Sequence, residues 1–196
     1  MIERRIYAAF DDEGVYVYQA FKPSIVKAAL HTGTFGEGFS LDRMTWIKPS
    51  FAWMLYRSGY ATKTDQEAIL KIKLSHEGFL AILRESIETT YNPRVHDSEK
   101  EWQKALQTSN VRHQWDPERN LNLHKHPDRR AIQIGIRGNV VQNYVNEWII
   151  KLEEVTVLAH TVGEACANQD ALPAVPEEHL FQVDEALGDR LSITEA

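Results

Sequence analysis

Two apolar, aromatic-rich runs open the chain, Ile6-Tyr7-Ala8-Ala9-Phe10 and Val15-Tyr16-Val17-Tyr18-Gln19-Ala20-Phe21, with Asp11-Asp12-Glu13-Gly14 between them. β-Branched and aromatic residues on either side of a turn signal predict a pair of strands. Behind Lys22-Pro23-Ser24, the residues Ile25, Val26, Ala29 and Leu30 recur at helical spacing. Thr32-Gly33-Thr34-Phe35-Gly36-Glu37-Gly38 ends that helix in a loop where backbone can approach a ligand closely. Phe51, Met54, Leu55 and Ser58 share one face of a second helix, bounded by Pro49 at its first turn and Gly59 at its stop. Ala68–Leu74 reads as a strand and His76–Ile87 as a helix, with Phe79, Leu80, Leu83 and Ile87 on one side.

The second half is more polar. The pattern predicts a short helix around Glu99–Leu106 and a strand over Val111–Trp115. A turn at Asp116-Pro117-Glu118-Arg119 and a polar loop over 120–130 follow, then a strand over Ala131–Ile136. A helix over Val140–Glu147 leads into Trp148–Leu158, which fits either a strand or a helix extension, and periodicity fades after Gly163. Strands interleaved with helices and hairpin-like pairs predict an α+β fold: a single mixed, largely antiparallel sheet with flanking helices. The expected organisation is one domain over residues 1–162 and an acidic tail over 163–196, able to dock on the body through Leu180-Phe181 and Ala186-Leu187.

Charge sharpens that division. The tail holds eight acids and one base, so the net charge of −6 resolves into −7 on the tail and +1 on the body. A near-neutral body can still bind an anion in a pocket lined by its own arginines, but it lacks the broad basic surface of a nucleic-acid coat. A hydrophobic share of 43% and a charged share of 26% fit a globular chain. Apolar runs are too short to span a bilayer, so no membrane partner is expected. No leader-like run follows Met1-Ile2-Glu3-Arg4-Arg5, which points to the cytoplasm. One cysteine, Cys166, excludes an intramolecular disulfide and a cysteine-based zinc site.

Three segments carry candidate chemistry. In the first, Trp46, Trp53 and Tyr56 lie among Arg43, Lys48 and Arg57, with Ser50 and Ser58 as hydroxyls. Aromatic faces stack bases or nicotinamide, and guanidinium groups clamp phosphates. The plainer reading is a core helix with its cations in solvent. The second segment is Arg112-His113-Gln114-Trp115-Asp116-Pro117-Glu118-Arg119, either a site lip with Asp116 or Glu118 as base or an ordinary charged turn. The third is Arg129-Arg130 ahead of Gln133, an amide in an apolar strand. Left unpaired, it would cost about 1–3 kcal/mol, so it needs a structural or ligand partner. His124-Lys125-His126 has the spacing of a metal pair but no third ligand, and is read as a loop pair with no metal. The sequence lacks G-x-S-x-G, a Walker loop and H-E-x-x-H, against an α/β hydrolase, a P-loop NTPase and a zincin.

The blocks Arg43-Met44-Thr45-Trp46-Ile47-Lys48-Pro49-Ser50-Phe51 to Tyr56-Arg57-Ser58-Gly59, Val111–Arg119 and Arg130-Ala131-Ile132-Gln133-Ile134-Gly135 resemble, in order, the signature of the domain of unknown function 4291 family. That resemblance spans roughly residues 4–190 and brings no established reaction. Gly36-Glu37-Gly38-Phe39-Ser40, a spacer, a helix ending in Tyr56 and a following strand more loosely resemble the ADP-ribosyltransferase superfamily. This second resemblance implies NAD as cofactor and transfer of ADP-ribose to a protein or nucleic-acid acceptor. Under it, Arg43 and Arg57 hold phosphates, Trp46 or Tyr56 stacks a ring, and Asp116 or Gln133 orients the accepting hydroxyl. Lys48, Ser50, Trp115, Arg119 and Arg130 complete the expected lining, with Lys48, Arg112, Arg119 and Arg130 facing an RNA or DNA acceptor. Gln19 or Tyr18 stands where that superfamily usually has His or Arg, a departure that weakens ordinary transferase chemistry. The alternative is a non-catalytic nucleotide- or RNA-binding module using the same Arg/Trp surface.

Overall fold

A computed structural model describes residues 2–194. In chain order its elements are β1 (Glu3–Arg4), β2 (Tyr7–Ala8), β3 (Gly14–Phe21), α1 (Pro23–Thr32), β4 (Thr45–Ile47), α2 (Phe51–Ser58), β5 (Ala68–Ser75), α3 (His76–Glu85) and β6 (Ile87–Glu88). They continue with α4 (Glu99–Thr108), β7 (Val111–Arg119), β8 (Lys125–Ile136), α5 (Gly138–Asn143), a π-helical turn (Tyr144–Trp148), β9 (Ile149–Glu154), α6 (Thr156–Asn168), β10 (His179–Leu180) and α7 (Glu185–Arg190).

The fold is mixed α/β, but the expected single sheet is divided into several. One main sheet is centred on β8, with β7 antiparallel on one side and β6 beyond it. Along the other edge of β8, β1 pairs parallel at Arg129-Arg130 and β4 antiparallel at Ile134–Ile136. The second main sheet is the antiparallel set β3-β5-β9, and β10 pairs with β2 in a small third sheet. The two main sheets meet at a single bridge, where Tyr18 of β3 and Lys48 exchange both backbone hydrogen bonds at 2.7 and 3.2 Å. The next residue, Pro49, has no N–H with which to continue a ladder, and the chain turns into α2. The seam between the sheets therefore opens beside Lys48.

Alternation along β7 and β8 sorts their faces. Val111, His113, Trp115, Ile132, Ile134 and Ile136 are all buried, whereas Arg112, Gln114, Asp116 and Gln133 are half-buried on the opposite face. A second apolar cluster, Tyr18, Phe51, Met54, Leu55, Ile69, Ala159 and Val162, fills the space between α2, α6 and the second sheet. α2 is well specified locally. The Ser50 hydroxyl accepts from the Trp53 N–H, and Gly59 closes the helix in a left-handed conformation.

Several expectations need correction. Asp116–Arg119 is the continuation of β7 rather than a turn. β6 pairs only with Arg112 and His113, so Pro117 has no second strand that would need its missing N–H. The polar stretch 120–130 is the tip and start of a hairpin, closed by Leu123 at φ 64 and by the Asn120 N–H to His124 carbonyl bond. α6 runs through Gly163 because the Tyr60 ring lies where a Cβ would stand, 2.9 Å from its Cγ. The proposed boundary at 162/163 thus falls inside a helix. The tail is docked: Phe181, Leu187 and Leu191 are buried in the main core. Glu195, counted among the tail's acids, lies outside the described residues. The glycine-rich loop folds inward as a hydrophobic plug, with Phe35 stacked on Phe39 at 4.3 Å and on Tyr144 at 6.0 Å, and it does not line the cleft described next.

Candidate functional site

The seam carries a cleft of about 430 Å³, walled by β3, β4, α2 and the polar face of the β7–β8 hairpin. Each wall contributes residues for a local reason. Strand alternation aims Gln114 and Gln133 at it, directly opposite each other across the ladder. α2 offers Trp53 and Arg57, four residues apart and so on one side of the helix. β4 offers Trp46, and the residue at the sheet junction, Lys48, closes the floor.

Polar groups here are organised around Asp116. Gln133 Nε2 donates to Asp116 Oδ2 at 2.6 Å, and Gln114 Nε2 donates to both carboxylate oxygens at 3.3 and 3.4 Å. The amide in the apolar strand has found its partner in a carboxylate that it fixes in place. Gln19 is bound more tightly still. Its Nε2 donates to Thr45 Oγ1 at 2.7 Å and the Trp46 carbonyl at 3.1 Å, and its Oε1 accepts from the Tyr144 hydroxyl at 2.7 Å. Both ends of its amide are engaged, so Gln19 borders the cleft as a brace between β3, β4 and the π-helical turn.

Lys48 is 6% exposed, and its Nζ donates to the Trp46 carbonyl at 3.1 Å while lying 5.4 Å from the centroid of the Trp53 ring. Burial first, then the charge of Arg57, pulls its pKa from 10.5 down to about 7, with Asp116 opposing. Arg57 itself is exposed at the cleft's rim.

The cleft thus brings together Gln19, Trp46, Lys48, Arg57 and Gln133, with Asp116 held behind the two glutamines. The structure places the remaining sequence candidates elsewhere. Ser50 is buried at 3% exposure, capping α2 and donating to Glu118 Oε1 at 2.8 Å. Tyr56 lies under the Arg119 guanidinium, 3.7 Å from ring centroid to Cζ, and neither lines the cleft. Trp115 points into the core and donates to the Leu191 carbonyl at 2.8 Å. Arg43 is exposed, Arg130 sits where β8 pairs with β1 and with Pro117, and neither borders the cleft. Sequence reasoning missed Gln114 and Gln66, and treated Trp53 only as an aromatic among cations. The signal for Gln114 was its place two residues before Asp116 in an alternating strand.

Gly135 shows how closely β4 packs here. A Cβ on it would stand 2.7 Å from Met44 Sδ and 3.0 Å from the Trp46 ring. Gly135→Ala should push the indole toward the cleft and cost about 1–2 kcal/mol from overpacking. Chemical denaturation should read the stability loss, and a change in tryptophan emission the movement. An unchanged spectrum with unchanged stability would show that the indole stays in place and that the flexible Met44 side chain takes up the added methyl.

A buried amine, an exposed guanidinium, two indoles, two amides and a positioned carboxylate suit an anionic ligand with a flat ring. No curated protein matches the chain. A family model described as a domain of unknown function, DUF4291, matches residues 5–181, nearly the whole chain. The chain belongs to the DUF4291 family.

Proposed function

We propose that the cleft binds a nucleotide of the NAD class and that the domain transfers ADP-ribose to a protein or nucleic-acid acceptor. The observation that carries this reading is the convergence of Lys48, Arg57, Trp46, Trp53, Gln114 and Gln133 in one cleft, with Asp116 fixed behind its two glutamines. Its volume is within the range of about 300–1,000 Å³ usual for small-molecule sites. The expected loose resemblance to ADP-ribosyltransferases supports the choice of nucleotide.

In this reading Arg57 and Lys48 hold the pyrophosphate and an indole stacks the nicotinamide or adenine ring. Cleavage of the nicotinamide–ribose bond sends its electron pair to the ring nitrogen and leaves an oxocarbenium-like ribose. Asp116, held by two amides, stabilises that cation and accepts the proton of the attacking hydroxyl.

Calorimetric titration with NAD and with ADP-ribose tests the reading. Arg57 is exposed and outside every ion pair among the described residues, so Arg57→Ala should not lower the melting temperature. Its affinity should fall about tenfold or more, the equivalent of about 1.4 kcal/mol. Equal affinity in the variant would remove Arg57 from the site. Salt-dependent binding of a short RNA with no NAD binding would instead favour the non-catalytic module.

A further inference from the structure

We propose that Lys48 is a nucleophilic amine that forms an imine with small aldehydes or ketones bearing an anionic group. This inference draws on the same cleft residues as the nucleotide reading but concerns what the amine does to a carbonyl, and it is tested separately from nucleotide binding.

Lys48 is set apart by what surrounds it. Lys73, the other buried lysine among the described residues, sits in ion pairs with Asp11 and Glu13. Lys48, though buried, has no carboxylate within ion-pair distance among the described residues. Its side chain makes one hydrogen bond among the described residues, donated from Nζ to the Trp46 carbonyl, so no donor occupies the nitrogen's lone pair. The charged groups acting on it come from two elements: Arg57 of α2 favours the neutral amine, and Asp116 of β7 favours the ammonium. Burial and Arg57 together prevail, leaving an amine about half neutral at pH 7. Desolvation beside a second cation is how lysine nucleophiles are generally activated.

The same constellation supplies the other parts an imine needs. The nitrogen lone pair attacks the carbonyl carbon as the carbonyl π bond breaks, giving a carbinolamine after one proton moves from nitrogen to oxygen. The nitrogen then expels that oxygen as water. The balance is amine plus carbonyl compound to imine plus water, with no oxidant or reductant. Asp116, whose charge acts on Lys48 and which Gln114 and Gln133 hold behind the cleft wall, is assigned the proton relay. Arg57 at the rim pairs with the substrate's anionic group, and the indoles of Trp46 and Trp53 shield the imine from bulk water.

The test is borohydride trapping on the whole protein with two probes, pyridoxal 5′-phosphate and glyoxylate, followed by peptide mapping. Hydride reduces the imine to a stable secondary amine on the lysine that formed it. At about pH 7 an ordinary lysine is neutral at roughly one part in a few thousand. Lys48 should therefore label far ahead of exposed residues such as Lys27 and Lys104, with its labelling midpoint about three pH units lower. Arg57→Gln should move that midpoint upward. Trapping by pyridoxal phosphate alone would assign a phosphate-bearing carbonyl, and by glyoxylate alone a carboxylate-bearing one; either supports the proposal. An unmodified Lys48 peptide beside labelled Lys27 and Lys104, or labelling of Lys48 with an ordinary lysine pH profile, would overturn it. Neither result depends on NAD binding, so failure here leaves the nucleotide reading to its own titration.

Discussion

Glu178→Gln should make the protein more stable at pH 8 by on the order of 3 kcal/mol while changing it little below about pH 5. Glu178 comes from the tail, and its Oε1 accepts the Phe51 N–H at 2.6 Å, at the amino end of α2. Glu118, whose charge acts on Glu178, accepts through Oε1 from Ser50 Oγ and from the Arg119 N–H, both at 2.8 Å. A helix amino terminus ordinarily favours a carboxylate by about 0.3–1 kcal/mol. Here desolvation outweighs that gain. Burial pushes the Glu178 pKa up to about 8, the Phe51 N–H and Arg129 pull down, and the neighbouring Glu118 pushes up again. Glu118 is raised as well, also chiefly by burial.

The sign follows from which state holds the proton. Below 4.5 both folded and unfolded chains carry protonated Glu178, and its contribution to stability is complete. Between 4.5 and about 8 only the folded chain keeps the proton, so stability falls by up to about 1.4 kcal/mol per pH unit. Glu178 is half-buried rather than fully enclosed, so solvent screening holds the total nearer 3 kcal/mol than the full shift implies. Glutamine keeps the acceptor for Phe51 and cannot ionise. Urea unfolding at about pH 5 and about pH 9 measures the difference. A variant whose stability falls across that window as steeply as the parent would place the titration on some other group.

That contact also marks the limit of what the sequence discloses. The helix α2 was legible because its signals are local: Pro49 and Ser50 at one end, Gly59 at the other, and apolar residues at helical spacing between. β3 and β5 were legible for the same reason, as was the docking potential of Phe181 and Leu187. The split into separate sheets was not, because it depends on one bridge between Tyr18 and Lys48, thirty residues apart. Nor could local pattern find Glu178 seated on a helix 127 positions away.

The site was half legible on similar grounds. Composition marked the Arg43–Arg57 segment, but a segment of aromatics and cations has several faces. Only packing decides that Trp53 and Arg57 line the cleft while Tyr56, one position from Arg57, lies beneath Arg119. Along β7, alternation separates Gln114 and Asp116 from His113 and Trp115, yet the turn expected at Asp116-Pro117 concealed that the strand continued. Gln133 was singled out for needing a partner. Which partner depended on the β7–β8 register, which sets Gln114 opposite Gln133 and brings Asp116 within reach.

Lys48→Met should stabilise the protein at pH 7 by about 2–3 kcal/mol and abolish both imine trapping and tight anion binding. An ordinary lysine is protonated in the unfolded chain up to 10.5, but Lys48 in the folded chain gives up its proton near 7. Folding at neutral pH therefore works against the preferred charge state. The parent's stability should rise between about pH 7 and 10.5 as the unfolded chain also loses the proton. Methionine has the same unbranched shape without the charge. The Trp46 carbonyl would keep its bond from Gln19 Nε2, so losing the lysine leaves no orphaned acceptor. Lys48 and Glu178 act with opposite sign in adjoining windows, one falling until about 8 and the other rising from about 7. His113, whose pKa burial pulls down to about 3, adds a rise below about 6.5 that opposes the Glu178 fall, so the two windows are read as differences between variant and parent. Relative to the parent, Lys48→Met should remove the alkaline rise and Glu178→Gln the acid-side fall, and the double variant should remove both. A Lys48→Met variant less stable than its parent, or one that keeps the alkaline rise, would mean that the amine is charged and solvated in the folded protein. If the variant is instead more stable but unable to bind, the chain is retaining a buried, uncompensated lysine against its own stability, as expected of a residue kept for chemistry.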